Sequence, residues 1–187
     1  MEFAVQIDTE IERTQAGECH QTEPSGAVGS RQQAIDFVSY CMKGNQDAIR
    51  LVFDFVRALD IWDNLYDGDK PVSPDEVNEL CGILLLEIHT NRFFSENAHM
   101  FMPILRASFM NWRISNAMCR GDHESRIQAH VLRYAPIDLI VMAAAIIGGE
   151  DWAVQCGPEI RRFHMADRLV DYLEEMSLKD AQEGVEK

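Results

Sequence analysis

Basic side chains are scarce in this sequence. Seventeen lysines and arginines stand against 31 aspartates and glutamates, which gives a formal net charge of −14 over 187 residues. A chain with this balance repels phosphodiester backbones and anionic lipid headgroups. We therefore expect no direct binding of nucleic acid. An acidic inhibitor that imitates the charge of DNA and blocks a host nucleic-acid enzyme stays as an alternative function.

Dense cysteine patterns and long apolar runs are also missing. The five cysteines are far apart, odd in number and without CxxC or zinc-finger spacing, which excludes a zinc or disulfide scaffold. The most apolar stretch, Ile137–Ile147, has 11 residues and contains Asp138, whereas a membrane-spanning helix needs about 20. Residues 1–11 carry acids where a signal peptide would be basic and then apolar. We expect no membrane span, no secretion by a signal peptide, and a reducing, cytoplasmic setting.

Common enzyme motifs are absent as well. There is no His-Asp dipeptide of the metal phosphohydrolase type, no phosphate-binding GxxxxGK and no GxSxG. Glu76 and Glu79 form an ExxE pair, but the ExxD that a helical nucleotide pyrophosphohydrolase would add downstream is missing. The sequence therefore favours a protein that is not an enzyme and has no cofactor.

What the sequence does contain is apolar residues at helical spacing. No segment alternates with the period of a strand, so we predict an all-α protein, a single-domain bundle of six or seven helices. Residues 1–30 are predicted to be a flexible or partner-bound N-terminal arm, residues 31–176 the helical bundle, and residues 177–187 an acidic tail. The predicted helices cover residues 31–42, 46–66, 74–89, 103–120, 124–147 and 158–176.

Several details of these helices are predictions in their own right. Pro103 and Pro158 are expected near helix starts, and Pro136 is expected to kink a long helix. The apolar run Ile83–Leu86 is expected to be deeply packed. Residues 103–120 carry two apolar lines, which predicts a central helix with neighbours on both sides.

Three aspartates interrupt the apolar stripe of the helix predicted over residues 46–66. At about 100° per residue, Asp60 and Asp67 project within roughly 20° of Ile49, which belongs to the stripe, and Asp63 lies about 40° to one side. Charges are rarely buried without a partner. The acids are therefore predicted to pair with arginines of neighbouring helices, to bind a metal ion, or to form an acidic surface for a partner. Mg²⁺ is the metal that such carboxylates would hold.

A second set of polar residues is predicted to share a buried pocket. Asp138 stands alone in an apolar run, so it needs Arg133, His130 or an asparagine of a neighbouring helix as partner, or joins the Asp60 face. Asn116 falls on an apolar stripe and should face a buried partner. The predicted pocket consists of Asn111, Arg113, His130, Arg133 and Asp138.

The run Asp63-Asn64-Leu65-Tyr66-Asp67 resembles the D-D-x-x-D motif of class I terpenoid synthases, which are all-α and bind Mg²⁺-diphosphate. Asn64 replaces the second acid. Asn111 and Ser115 have the spacing of the family's second metal motif, but Cys119 stands where that motif has an acid. The resemblance implies, as an alternative function, a Mg²⁺-dependent enzyme that acts on a phosphate or diphosphate substrate.

A broader resemblance covers roughly residues 46–165. It is carried by five short runs: Ile61–Asp67, Asn111–Arg113, Val131–Tyr134, Gly148–Trp152 and Gly157–Arg161. These runs are similar to small helical proteins of tailed phages and prophages, a group to which no activity is attached. The resemblance implies a viral protein, located in the host cytoplasm or the virion. The leading hypothesis is a virion, ejection or assembly component that works through contacts with phage or host proteins, or with itself.

Overall fold

The computed structural model describes residues 31–68, 70–164 and 169–185. Of these described residues, 89% are helical and none lies in a strand, which confirms the all-α prediction. They form seven helices, within the predicted number. The N-terminal arm predicted for residues 1–30 lies outside the described residues. The prediction treated residues 31–176 as one bundle. The described residues group into two compact units that divide between Asn97 and Ala98.

In the first unit, α1 (Arg31–Cys41) and α2 (Gln46–Asp67) form an antiparallel pair. Their shared core is formed by Ala34, Val38, Cys41, Met42, Ala48, Leu51, Val52 and Phe55. The side chain of Asn45 caps α2 by accepting a hydrogen bond from the amide of Ala48 at 3.1 Å. Gly68 ends the helix with a φ of 71°, a left-handed conformation that glycine adopts without strain.

The third helix, α3 (residues 74–90), begins with the predicted proline and N-cap serine. Ser73 and Glu76 form a reciprocal capping box, with Pro74 in the first turn. Residues Ile83–Glu87 then widen into a π-helix before Ile88–Thr90 closes the element. The prediction that Ile83–Leu86 is deeply packed is wrong, because only Ile83 is buried and the three leucines that follow are exposed.

The fourth helix, α4 (Arg92–Met118), starts in the first unit and continues into the second. Asn91 precedes it: its side-chain oxygen accepts from the amide of Phe94 at 3.0 Å. Non-helical angles at Asn97 kink the helix where the two units meet in sequence. Pro103 lies inside α4 rather than at a helix start, so the predicted boundary there is wrong. The kink at Asn97, and not Pro103, separates the two parts of α4.

The second unit continues with α5 (His123–Gly148), α6 (Glu150–His164) and α7 (Leu169–Val185). The α-helix is interrupted at Pro136 as predicted: Ala135–Ile137 is a 3-10 segment between two α-helical stretches of α5. Gly149, with a φ of 89°, reverses the chain so that α6 packs on the C-terminal part of α5.

Two predicted boundaries in the second unit are wrong. Pro158 lies inside α6 rather than at a helix start. The last helix was predicted to end near Met176, but its backbone continues through most of the predicted acidic tail to Val185.

One described helix, α5, is long and apolar enough to cross a membrane by length and composition alone. The core helix of a soluble protein passes the same test, and this helix buries Leu139, Ile140, Ala143 and Ala144. The 11-residue run noted in the sequence is thus part of a longer helix.

Candidate functional site

The aspartate face of α2 begins with one deeply buried carboxylate. Asp60 is only 3% exposed, as its helical phase predicts. Its Oδ2 atom lies 3.3 Å from Nη1 of Arg57, one turn earlier on the same helix. The cation therefore comes from α2 itself, whereas the sequence pointed to arginines of neighbouring helices.

Arg57 also binds two glutamates of α3. Its Nε and Nη2 donate to the two carboxylate oxygens of Glu79 at 2.9 and 2.7 Å, a bidentate pair. Its Nη2 lies 3.5 Å from Glu76. We call Arg57, Asp60, Glu76 and Glu79 the acid cluster. It joins α2 to α3 and places three carboxylates around one guanidinium.

The environment changes the pKa of several members of the acid cluster. Burial raises the pKa of Asp60 above its ordinary value, and Arg57 opposes that shift. The hydrogen bond to Glu79 raises the pKa of Arg57 further. The pKa of Glu76 is lowered because its carboxylate accepts hydrogen bonds from the amide and hydroxyl of Ser73.

The predicted Mg²⁺ site consists of Asp60, Asp63 and Asp67, of which only Asp60 belongs to the acid cluster. Within the part of the chain that the structure describes, no group of three or more His, Cys, Asp or Glu residues could hold a metal ion. Asp63 and Asp67 are half-buried. The Asp60 carboxylate accepts a hydrogen bond from Arg57. Metal binding by Asp60, Asp63 and Asp67 remains a prediction without support from this geometry.

The predicted polar pocket in the second unit forms only in part. Arg133 donates through Nη2 to the side-chain oxygen of Asn116 at 3.1 Å. The buried ring of His130 packs against Tyr134 and Tyr172, with centroids 5.2 and 5.1 Å apart. Arg133 and His130 therefore belong to one cluster through Tyr172. The partner of Asn116 is the half-buried Arg133 rather than a fully buried residue.

The remaining predicted members of the pocket lie elsewhere. Asp138 is half-exposed and pairs with Arg161 of α6, a partner that the sequence argument did not consider. Arg113 is exposed, and Asn111 is half-buried. The prediction placed Asp138 beside Arg133 or His130, but the turn at Gly149 brings α6 against this end of α5 instead.

The most unusual surface lies on α4, where the sequence argument expected a second buried line. Phe101, Ser108, Trp112 and Ser115 form its single buried side. The opposite side exposes four large apolar residues and two arginines over an arc of about 140°. We call this surface the docking face; it consists of Met102, Arg106, Phe109, Met110, Arg113 and Ile114.

A charge signal in the sequence marks the same helix. Residues 97–121 contain no aspartate or glutamate but include Arg106, Arg113 and Arg120, in a chain with 31 acids. This local reversal of charge, on an apolar helix, could have identified the docking face before the structure did.

Comparison with protein-family models, curated proteins and solved structures gave no match. The fold and surfaces define an all-α protein with an acid cluster around the buried Asp60 in one unit and an exposed apolar, basic helix face in the other.

Proposed function

We propose that this protein works through protein contacts and that the docking face binds an acidic, amphipathic helix of a partner protein. The observation that carries the proposal is the exposure of Met102, Phe109, Met110 and Ile114, which are 54%, 49%, 50% and 48% exposed on one side of α4. Side chains of this size are normally buried when they recur on one helical face.

The apolar area of the docking face is large enough for a specific but weak contact. Four side chains, each about half exposed, present on the order of 300 Å² of apolar surface, which is in the range of functional patches. This is smaller than half of a standard-size interface. We therefore expect a transient complex with a Kd of about 10 µM.

Charge selects the kind of partner. Arg106 and Arg113 lie between the apolar side chains of the docking face, and residues 97–121 carry no acid to neutralise them. An acidic partner gains attraction from both arginines and is steered to this face of an otherwise acidic protein. A second copy of the same face would bring four arginines together, so self-association through it is disfavoured.

Methionine gives the docking face adaptability. Met102 and Met110 have unbranched, polarisable side chains that can adjust to apolar partners of different shape. A helix laid across this surface would place its apolar residues at i, i+3, i+4 and i+7 between the methionines, Phe109 and Ile114. This arrangement supports recognition of a helix rather than of an extended strand.

The biological setting is proposed from the resemblance alone. Similarity of the five short runs to helical proteins of tailed phages supports a role as a virion, ejection or assembly component whose partners are phage or host proteins. A Mg²⁺-dependent enzyme gains no supporting observation from the acid cluster. The inhibitor alternative needs one continuous acidic surface. The exposed arginines of the docking face interrupt such a surface.

A designed peptide pair tests the proposal. The probe is an amphipathic helical peptide with leucines on one face and glutamates flanking them, and its control has lysines in place of the glutamates. Fluorescence anisotropy with the full chain should give a Kd of about 10 µM for the acidic peptide and far weaker binding of the lysine peptide. Raising the salt concentration should weaken the acidic complex.

Variants locate the binding on the docking face. Arg106→Glu combined with Arg113→Glu should raise the Kd about tenfold or more, since two attractive pairs become repulsive. The matched control, Arg50→Glu with Arg162→Glu, changes the net charge equally at exposed positions outside the face and should have a smaller effect. Equal binding of both peptides, an equal effect of both double variants, or binding of anionic phosphatidylglycerol vesicles in preference to the acidic peptide would refute the proposal.

A further inference from the structure

The third helix exposes an apolar surface in the first unit. Leu84, Leu85 and Leu86 follow one another on α3 and are between 48% and 69% exposed. Single apolar side chains scattered over a surface are ordinary, whereas three adjacent leucines form a patch. We call these three residues the leucine face.

The π-helix explains why the leucine face is exposed. Ile83 and Ile88 are both buried, although an α-helix would set side chains five positions apart about 140° from each other. The amide of Ile88 donates to the carbonyl of Ile83, and this wider turn lets both isoleucines pack in the core. The four residues between them are all exposed. Single π-helical turns are frequent at functional sites.

The charged residues of α3 are acidic. Residues 74–90 contain four acids and no lysine or arginine. Two of these acids, Glu76 and Glu79, belong to the acid cluster, in which three carboxylates share one guanidinium, so the cluster keeps a net negative charge. The other two, Asp75 and Glu87, are exposed. The helix α3 is therefore itself an acidic, amphipathic helix with an exposed apolar surface.

We propose that the leucine face of one copy of this chain binds the docking face of a second copy. The inference rests on the proposed function, because it names the acidic helix that the docking face receives. Apolar side chains cover each other in this contact, and the acids of α3 attract Arg106 and Arg113. The two faces are different, so the contact is heterologous and brings no arginines together. The number of copies depends on whether successive contacts close into a ring.

The areas of the two faces are similar and predict a weak contact. The three leucines present on the order of 250 Å² of apolar surface, close to that of the docking face. Together the faces would bury about 550 Å² of apolar surface, which corresponds to about 1,000 Å² in total at the usual apolar fraction. This is the lower limit for a specific interface. We therefore expect a Kd on the order of 10 µM for each contact.

The overall charge of the chain does not prevent this contact at physiological salt. The net charge of −14 makes two copies repel each other at long range. In about 0.15 M salt the screening length is about 8 Å, so the charges beside the contact dominate. Those charges are opposite in sign, because residues 97–121 contain no acid and residues 74–90 contain no lysine or arginine.

The test is a complementation experiment with full-length variants in about 0.15 M sodium chloride, followed by analytical ultracentrifugation. The natural protein should be mostly monomeric at about 1 µM and associated at about 200 µM. One variant, Arg106→Glu with Arg113→Glu, disables the docking face. The other, Leu85→Gln with Leu86→Gln, disables the leucine face. Each variant alone should remain mostly monomeric at about 200 µM.

An equimolar mixture of the two variants should associate again. The arginine variant keeps its leucine face and the leucine variant keeps its docking face, so one contact of the natural kind can form. The product should be a dimer and nothing larger, because each of its members has already used its one intact face. If identical faces bound each other, one of the two variants would associate by itself as the natural protein does.

Two controls separate self-association from the proposed function. The Leu85→Gln and Leu86→Gln variant should still bind the acidic helical peptide with the Kd of the natural protein, because its docking face is intact. Substitutions at such exposed positions change stability little, and circular dichroism checks that the variant is folded. The matched control, Val154→Gln with Leu178→Gln, removes two exposed apolar side chains outside both faces and should associate like the natural protein.

Three results would overturn the inference: a natural protein that stays monomeric at about 200 µM, a leucine variant that associates alone, or a mixture of variants without a dimer. If the acidic peptide still binds the natural protein in these cases, the proposed function stands and only self-association is refuted. A natural protein that does not bind the peptide would instead refute the proposed function, and the inference with it.

Discussion

Replacing Arg57 by leucine tests how the buried carboxylate of α2 is held. The guanidinium side chain is 13% exposed and the Asp60 side chain 4%, so the change leaves a buried acid without its cation. Breaking such a pair from one side costs about 3–5 kcal/mol. Asp60 limits the loss by taking up a proton, and Glu76 and Glu79 reach water. We therefore expect Arg57→Leu to lower the free energy of unfolding by about 3 kcal/mol at pH 7.

The loss should depend on pH in a defined direction. Burial raises the pKa of Asp60 in the folded protein above 3.8, so the folded state keeps this proton at pH values where the unfolded chain has released it. The stability that Asp60 contributes is then complete below pH 3.8 and is lost as the pH rises through the folded pKa. Removing Arg57 raises that folded pKa further. The loss should thus be smaller at pH 4 than at pH 7.

Urea unfolding followed by circular dichroism at both pH values measures these differences. The double variant Arg57→Leu with Asp60→Leu removes the buried charge together with its cation and should recover most of the loss. Arg92→Leu breaks an exposed pair with Glu96 and should leave the urea midpoint unchanged. An Arg57→Leu loss that is equal at pH 4 and pH 7, or a double variant no more stable than the single one, would refute the reasoning.

Two further changes test the local accounts of helix structure. Ser73→Ala removes the capping box at the start of α3 and should cost about 1 kcal/mol in urea unfolding at pH 7. Because the pKa of Glu76 is lowered in the folded protein, this cost should shrink as the pH falls below 4.5. A cost that is constant with pH would contradict the capping-box assignment. Gly148→Ala places a methyl group against the Trp152 side chain and should lower the free energy of unfolding by about 1–3 kcal/mol. The control Gly157→Ala meets open space and should not lower it. Equal effects of the two variants would contradict the packing at the end of α5.

The inward direction of Asp60 could be predicted because helical phase is a local property. Its position relative to the apolar stripe of α2 is set by 3.6 residues per turn, and the structure keeps that phase. The identity of its partners could not be predicted in the same way. Glu79 is 22 residues from Arg57 in the sequence, and only the path of the turn before α3 brings the two together.

Prolines misled the boundary predictions for a physical reason. Pro103 and Pro158 each remove one backbone hydrogen bond, which usually ends a helix or marks its first turn. In α4 the helix is kinked at Asn97 and not at Pro103, and α6 continues through Pro158. Pro136 follows the local rule, because the 3-10 segment Ala135–Ile137 interrupts the α-helix there. Local chemistry alone does not distinguish these three outcomes.

The docking face shows a different limit of sequence analysis. An apolar line on α4 predicts that its residues are buried. The sequence does not distinguish burial in the chain's own core from burial against a partner protein, because both need the same apolar residues. Phe101 and Trp112 are buried as predicted, whereas Phe109 and Ile114 are exposed. The absence of aspartate and glutamate from residues 97–121 is visible in the sequence alone. It distinguishes this line from an ordinary core helix.

The most direct test of the docking face is an NMR titration of the full chain with methyl-labelled methionine. Met102 and Met110 lie on the face, whereas Met42 is fully buried in the first unit and serves as the internal control. Adding the acidic helical peptide should shift the methyl signals of Met102 and Met110, leave Met42 unchanged, and lose its effect in the Arg106→Glu and Arg113→Glu double variant. Unchanged signals from Met102 and Met110, or equal shifts with the lysine peptide, would contradict the proposal that this face receives an acidic partner.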